Sequence, residues 1–347
     1  MVAAVRLGMR AGLGLLALTV AAIELGLVDL VRTSLPPLRW QLDELLLIAG
    51  ALCFAGLAAR HAKRHRMAVP GLDDATLVAD LRAAIAGNAL EVHYQPKMDA
   101  RTNRIVSLEA LVRWNHPLLG AISPGRFVPL AEASGDMPAL TMRVLAHACR
   151  DAAFFRANAF DQTVFVNISA LLVSDDAFTT AIIEAIATSQ ANIGIEVTET
   201  AVIDAPERAL ANLRRLADAG LPIAIDDYGV GLSSLTYLRQ MPASELKIDM
   251  SFIRDLTNSH RDPLIVRSTV DLAHGLGMKV TAEGVDKPET LALLRIMGCD
   301  YIQGYQIAPA LSRDAALSFM QNDGAADDEL PEFAAALLRL KGSRAAP

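Results

Sequence analysis

The chain has 347 residues, 52% of them hydrophobic, a formal net charge of −7 and a mean hydropathy of +0.32. That length is too great for one small core and suits one large domain with an added segment. The negative balance argues against a DNA or RNA polymer as partner. Three dispersed cysteines, Cys53, Cys149 and Cys299, without a CxxC pair, argue against a disulfide framework and for a reducing compartment around the main domain.

Apolar residues concentrate at the start of the chain. Residues 11–31, AGLGLLALTVAAIELGLVDLV, are nearly all apolar, and as a helix they would span roughly 31 Å, the thickness of a bilayer core. Glu24 falls inside that span, where a carboxylate is costly. A second, shorter run covers 42–59. Between them RTSLPPLRW carries two prolines, which forbid one continuous helix, and Trp40, suited to a membrane interface. The densest basic cluster, RHAKRHR at 60–66, follows the second run and marks the cytoplasmic side. The expectation is a membrane hairpin over 1–66 with both ends inside, in a bacterial inner membrane, and with the rest of the chain facing the cytoplasm. A signal peptide and a helix pair buried against the main domain are the alternatives. MAVPGLDD (67–74) reads as a linker.

From residue 75 the pattern becomes short β-rich runs alternating with helical segments. The runs are EVHYQP (91–96), IVSLEALVRW (105–114), TVFVNIS (163–169), IGIEVTET (193–200), PIAIDD (222–227), ELKID (245–249), KVTAEG (279–284) and DYIQGY (300–305). Helices at 206–219 and after Pro288 open on proline and close on Gly220 and Gly298. Eight strands alternating with helices predict an α/β fold, a (β/α)8 TIM-type barrel over 75–320, against an open doubly wound sheet. Residues 321–347 read as a polar tail with one short helical run.

The strand ends carry Gln95, Glu109, Asn167, Glu196, Asp226 with Asp227, Lys247 with Asp249, Glu283 and Gln303. Taken singly, a strand-end aspartate is usually a helix cap or a turn former. In a parallel barrel, however, all these ends meet at one face. So many carboxylates converging there require neutralisation, because like charges raise one another's pKa. The donors are all oxygen, with no cysteine or paired histidine at metal spacing, which favours Mg²⁺ or Mn²⁺ over Zn²⁺. Lys247 and Asp249 alternate and so share a face.

Glu109-Ala110-Leu111 within SLEALVRWNHP, then SPGRFVPLAEASG, VNIS, EVTE, DDYGVG, LKID, AEGV and QGY, occur in order over residues 75–320. In these motifs the chain resembles the EAL domain, the cyclic di-GMP phosphodiesterase module. The resemblance implies metal-dependent hydrolysis of cyclic di-GMP to linear pGpG at the strand C-termini, with two ions. It implies that Glu109, Asn167, Glu196 and Asp226 ligate one ion, and that Asp226, Asp227 and Asp249 hold or flank the second. Lys247 would orient the attacking water and Glu283 would act as general base or as an indirect metal and water contact. Gln303 would support the second ion's water shell, Arg113 and Gln95 would contact the nucleotide, and Glu199 would pin the loop after the fifth strand. A homodimer through the barrel is likewise implied. The loop departs from the family's usual DDFGTGYSSL at Tyr228, Val230 and Leu232. The competing readings are a weakly catalytic EAL domain acting as a cyclic di-GMP receptor or protein-interaction module, and a divalent-metal lyase or racemase on a similar barrel.

Overall fold

The computed structural model describes residues 73–87, 89–202, 205–229 and 235–322. The predicted spans at 11–31 and 42–59, and nearly all of the tail, lie outside these residues. Among the described residues no helix is long and apolar enough to cross a membrane.

Helix α1 (Asp74–Ala86) starts at Asp73, whose side chain accepts from the Thr76 N–H at 2.8 Å, an N-cap. It buries Leu77, Leu81 and Ala84, spaced four and three residues apart on one face. Arg82 pairs with Asp136, and the Asp80 carboxylate lies 3.2 Å from His116 Nε2. These contacts fix α1 against the segment that follows the second strand.

Next come β1 (Leu90–Asp99), β2 (Ile105–His116), β3 (Gly120–Ile122), α2 (Pro124–Ser134), α3 (Met137–Ala157), β4 (Thr163–Ile168), α4 (Ala170–Val173), α5 (Asp176–Ser189) and β5 (Ile193–Thr198). The chain continues through α6 (Pro206–Asp218), β6 (Ile223–Tyr228), α7 (Leu235–Leu238), β7 (Glu245–Ile248) and α8 (Met250–Ile253). It finishes with α9 (Asp262–Gly275), β8 (Lys279–Ala282), α10 (Pro288–Met297), β9 (Tyr301–Gln303) and α11 (Arg313–Gln321). Every predicted β-rich run is a strand. The proline-opened helices end as expected, with Gly298 in the left-handed conformation at φ +90°.

The sheet runs β1-β9-β8-β7-β6-β5-β4-β2-β3, and pairing of β1 with β2 closes eight of these strands into a barrel. Closure decides against the open sheet. One feature departs from an all-parallel barrel: β1 is antiparallel to both β2 and β9, while β2, β4, β5, β6, β7, β8 and β9 form parallel neighbours. The cause is local. Only residues 100–104 separate β1 from β2, and a parallel crossover needs about a dozen residues. The connection is instead a tight turn in which Asp99 Oδ1 accepts from the N–H groups of Arg101 and Thr102 at 2.9 and 2.8 Å. β3 is a hairpin added to β2, with Trp114 opposite Ile122.

The core lies between barrel and helices, in residues such as Val164, Val166, Ile195, Val197, Leu246, Ile248 and Val280. Alternation along the strands turns their neighbours, Phe165, Gly194, Glu196, Glu245, Lys247 and Thr281, to the barrel interior. Gly194 has a steric reason to be glycine. A Cβ there would lie 2.5 Å from the Phe165 ring, so the missing side chain is what admits an aromatic ring inside the barrel.

Candidate active site

The interior of the barrel is charged where a barrel of this kind is normally filled with branched aliphatic side chains. Lys247 of β7 is fully buried, and its Nζ lies 2.6 Å from Glu196 Oε2, 2.7 Å from Glu283 Oε1, 3.0 Å from Asp226 Oδ1 and 3.4 Å from Glu109 Oε2. Glu109 also accepts from Asn167 Nδ2 at 2.7 Å and from Gln303 Nε2 at 2.6 Å. Strands β2, β4, β5, β6, β7 and β9, with the segment just after β8, thus deliver one polar cluster.

A single ammonium facing four carboxylates leaves a surplus of negative charge. Glu109 is pushed upward by burial, but Lys247 and the hydrogen bonds from Asn167 and Gln303 outweigh this and bring it to about 2. Burial raises Glu196 well above the usual carboxylate range, and the negative charge of Glu109 adds to the effect. Burial, with Asp226 next, lifts Asp227 to about 6. Burial lifts Glu283 to about 8 against the pull of Lys247. Burial alone would lower Lys247, yet the surrounding carboxylates hold it well above its ordinary value.

Among the described residues two carboxylate groups could hold a metal ion, Glu109 with Glu196 and Asp226, and Asp226 with Asp227 and Glu283. Asp226 belongs to both. Its Oδ1, although 3.0 Å from Lys247 Nζ, accepts no well-directed hydrogen bond, and Gln303 Oε1 is likewise buried without a hydrogen-bond partner. Buried oxygen atoms that accept no well-directed hydrogen bond, beside carboxylates whose affinity for protons is raised, are a donor set that fits a hard divalent cation.

The backbone of β6 makes this double use possible. Consecutive residues of a regular strand face opposite sides, so the sequence suggests that the strand stops at Asp226-Asp227 and turns on the glycines that follow. Instead β6 runs on to Tyr228. Its register against β7 shifts between Ile225 and Tyr228, and Asp227 itself adopts φ +54°. A bulge at a left-handed aspartate brings both carboxylates into one group. Gly229 follows at φ +101°, its N–H donating to Glu199 Oε2 at 3.1 Å. Glu199, which opens the 3₁₀ turn after β5, thereby ties down the start of the loop after β6. Val230 and Leu232 lie outside the described residues.

Three expected site residues stand apart from these groups. Asp249 is the N-cap of α8, accepting from the Ser251 N–H at 2.8 Å, and belongs to neither carboxylate group. Gln95 pairs with Glu109 across β1 and β2, and its Nε2 reaches the Ala308 carbonyl at 3.4 Å. Arg113, two pairs of residues along β2 from Glu109, donates to the neighbouring Val112 carbonyl. Burial lowers its pKa, with Glu109 and Tyr305 acting in the opposite sense.

Sequence reasoning missed one part of the interior. Lys97 of β1 is fully buried and forms a short ion pair with Glu245. Thr281 Oγ1 donates to the same Glu245 oxygen at 2.6 Å, and Lys97 Nζ lies 3.5 Å from Glu196 Oε1. Burial would lower Lys97, but Glu245 and Glu196 raise it above its ordinary value. Strand alternation could have found it: Lys97 shares a face with Gln95, and Glu245 with Lys247.

Comparison with known proteins agrees with this architecture. Residues 78–310 match the EAL domain. The chain is 36% identical over 263 residues to the cyclic di-GMP phosphodiesterase NbdA of Pseudomonas aeruginosa, a match covering 74% of this chain and 33% of that protein. The chain spans about a third of the length of several curated relatives it matches, NbdA among them. The solved PaMucR phosphodiesterase in complex with c-di-GMP superposes with a TM-score of 0.66 at 36% identity, over 69% of this chain and 98% of that one. An EAL domain protein from Listeria monocytogenes EGD-e superposes with a TM-score of 0.61 at 30% identity, over 70% and 97%. With the family's region matched along most of the described barrel, and carboxylates gathered at the C-terminal ends of its strands, this chain belongs to the EAL domain family.

Proposed function

We propose that the chain hydrolyses one phosphodiester bond of cyclic di-GMP, giving linear pGpG, with Mg²⁺ or Mn²⁺ as cofactor and two ions in the site. The observation that carries this reading is the pair of carboxylate groups sharing Asp226. Glu109, Glu196 and Asp226, with Asn167, would hold one ion, and Asp226, Asp227 and Glu283, flanked by Asp249, the other. Divalent cations so held supply a water that ionises near neutral pH and shield the phosphate charge.

The protein's own groups do the rest. Lys247 holds four carboxylates in one arrangement and presents its ammonium to the attacking water. Glu283, 2.7 Å from that ammonium, is placed to take a proton. Arg113, on the same strand as Glu109, and Gln95, opposite Glu109 on β1, bind the dinucleotide, and Gln303 orients Glu109 from β9. The reading extends to a homodimer formed through the barrel. It also extends to a bacterial inner-membrane location, in which the apolar runs at 11–31 and 42–59 anchor a cytoplasmic barrel and lower the messenger near the membrane. These two features rest on the resemblance and on the position of RHAKRHR.

The test is incubation of the full chain with cyclic di-GMP and Mg²⁺ or Mn²⁺, with chromatographic detection of pGpG. Chelator should abolish product and either metal restore it. Ca²⁺ should inhibit, because its longer bonds and looser geometry disturb a tight two-ion site. Full turnover in chelator would sink the metal mechanism, and binding without turnover would favour the receptor reading.

A further inference from the structure

We propose that Lys97 is a positioning residue for the metal centre: from the layer beneath the proposed ligands, its ammonium orients Glu196 by holding Oε1 while Lys247 holds Oε2. The inference rests on the metal reading above and adds to it a part of the barrel that contributes no ligand.

Glu196 is fully buried and its two oxygens are divided between two lysines, Oε2 at 2.6 Å from Lys247 and Oε1 at 3.5 Å from Lys97. Lys97 is itself immobilised from three strands. Glu245 of β7 binds its ammonium in a short ion pair, and Thr281 of β8 donates to that same carboxylate. Phe165 of β4 lies beneath the ammonium, 4.4 Å from nitrogen to ring centroid, in the space that Gly194 leaves open.

The distances decide what Lys97 does. Its strongest partner is Glu245, not Glu196. Lys247 already holds Oε2 at 2.6 Å, so a second ammonium bound as tightly to Oε1 would leave a cation no free oxygen of Glu196. One largely satisfied by Glu245, and reaching Glu196 at 3.5 Å, sets the direction of the carboxylate and leaves it able to ligate. Stability gives little reason for such a layer. Buried ion pairs are often replaceable by apolar residues with no loss of stability, and barrel interiors are commonly aliphatic. A Lys–Glu–Thr layer directly below a carboxylate cluster is more economically explained by what lies above it, since groups that orient a ligand typically govern metal affinity by about 10- to 100-fold.

The experiment compares the full chain with K97M, E245Q and K97M/E245Q, measuring thermal unfolding and, without substrate, Mn²⁺ binding by calorimetry. K97M leaves Glu245 buried without its cation and should unfold at lower temperature. The double variant removes both charges, keeps an acceptor for Thr281 and should recover most of that loss. Mn²⁺ affinity should nevertheless remain about 10- to 100-fold weaker in the double variant. E245Q keeps Lys97 but frees it to move onto Glu196, so it should also bind Mn²⁺ more weakly, and it serves if K97M does not fold. Unchanged or tighter Mn²⁺ binding in a folded double variant or in E245Q overturns the proposal. A wild-type chain that takes up no Mn²⁺ overturns the metal reading and this inference with it. A wild-type chain that binds Mn²⁺ without hydrolysing cyclic di-GMP overturns only the hydrolytic reading, since the affinity comparison among variants still decides the role of Lys97.

Discussion

At the scale of single residues, Asp227 holds a left-handed backbone, φ +54°, that costs a non-glycine residue on the order of 1–3 kcal/mol, less for aspartate than for most. The strain buys a second carboxylate on the same side as Asp226. The two residues should therefore fail differently. Asp226→Asn removes charge from both carboxylate groups and should abolish uptake of both ions and nearly all hydrolysis. Asp227→Asn leaves Glu109, Glu196 and Asp226 in place and should keep measurable metal at the first site. Metal counting by calorimetry or anomalous scattering separates them, and two ions at wild-type affinity in Asp226→Asn would disprove the shared ligand. A second contrast separates chemistry from binding. Glu109→Ala removes the carboxylate that Asn167, Gln303 and Lys247 converge on, and should lower kcat by orders of magnitude. Arg113→Ala should mainly raise KM, by about ten- to a hundredfold, the worth of one charge-assisted hydrogen bond. Steady-state kinetics on both variants reads the difference.

At the scale of elements, the loop after β6 begins at Gly229, whose N–H is held by Glu199. Glu199→Ala should release that end, lowering turnover at limiting Mn²⁺ more than at saturating Mn²⁺ and leaving the melting temperature within a few degrees of wild type. Equal activity at both concentrations would show the pin to be irrelevant. The same elements show what could be read in advance. The eight barrel strands were legible because alternating β-branched and apolar residues stop at polar ones, whereas the three-residue β3 was not. The helix boundaries were legible because proline fixes φ at a helix start and glycine alone takes the left-handed backbone of a helix end without strain. The antiparallel β1 was present in the sequence as a connection too short for a crossover, but the repeated strand–helix alternation elsewhere concealed it. The bulge in β6 was not legible. Two adjacent aspartates followed by glycine suit a strand end as well as a bulge, and pairing with β7, which is distant in sequence, decides between them. Lys97 was overlooked because a lone lysine in a strand normally points to solvent, and only barrel closure turns it inward.

At the scale of the whole molecule, position and charge each make a prediction. If RHAKRHR marks the inner side of the membrane, a C-terminal reporter fusion should be active only as a cytoplasmic enzyme, and activity confined to the periplasm would refute the proposed topology. The charge of the barrel interior sets the response to pH. Asp227 at about 6 and Glu283 at about 8, with Glu196 shifted in the same direction, bind protons more tightly in the folded, metal-free chain than ordinary carboxylates of the unfolded chain. Wherever the folded state binds more protons, stability falls as pH rises. Between pH 6 and 8 the metal-free protein should therefore melt at progressively lower temperature. Glu109, at about 2, acts in the opposite sense, but only as pH falls below the ordinary carboxylate range. Lys247 stabilises throughout this window, since its folded pKa lies well above its unfolded one. A divalent cation must displace the retained protons, so its affinity should rise from pH 6 to pH 8, and binding should release protons in amounts that calorimetry in buffers of different ionisation enthalpy can count. Saturating Mn²⁺ should flatten or reverse the pH slope of the melting temperature. If the metal-free slope is flat, and binding near pH 6 releases no proton, then the interior carboxylates are already ionised and another positive group among them must account for it.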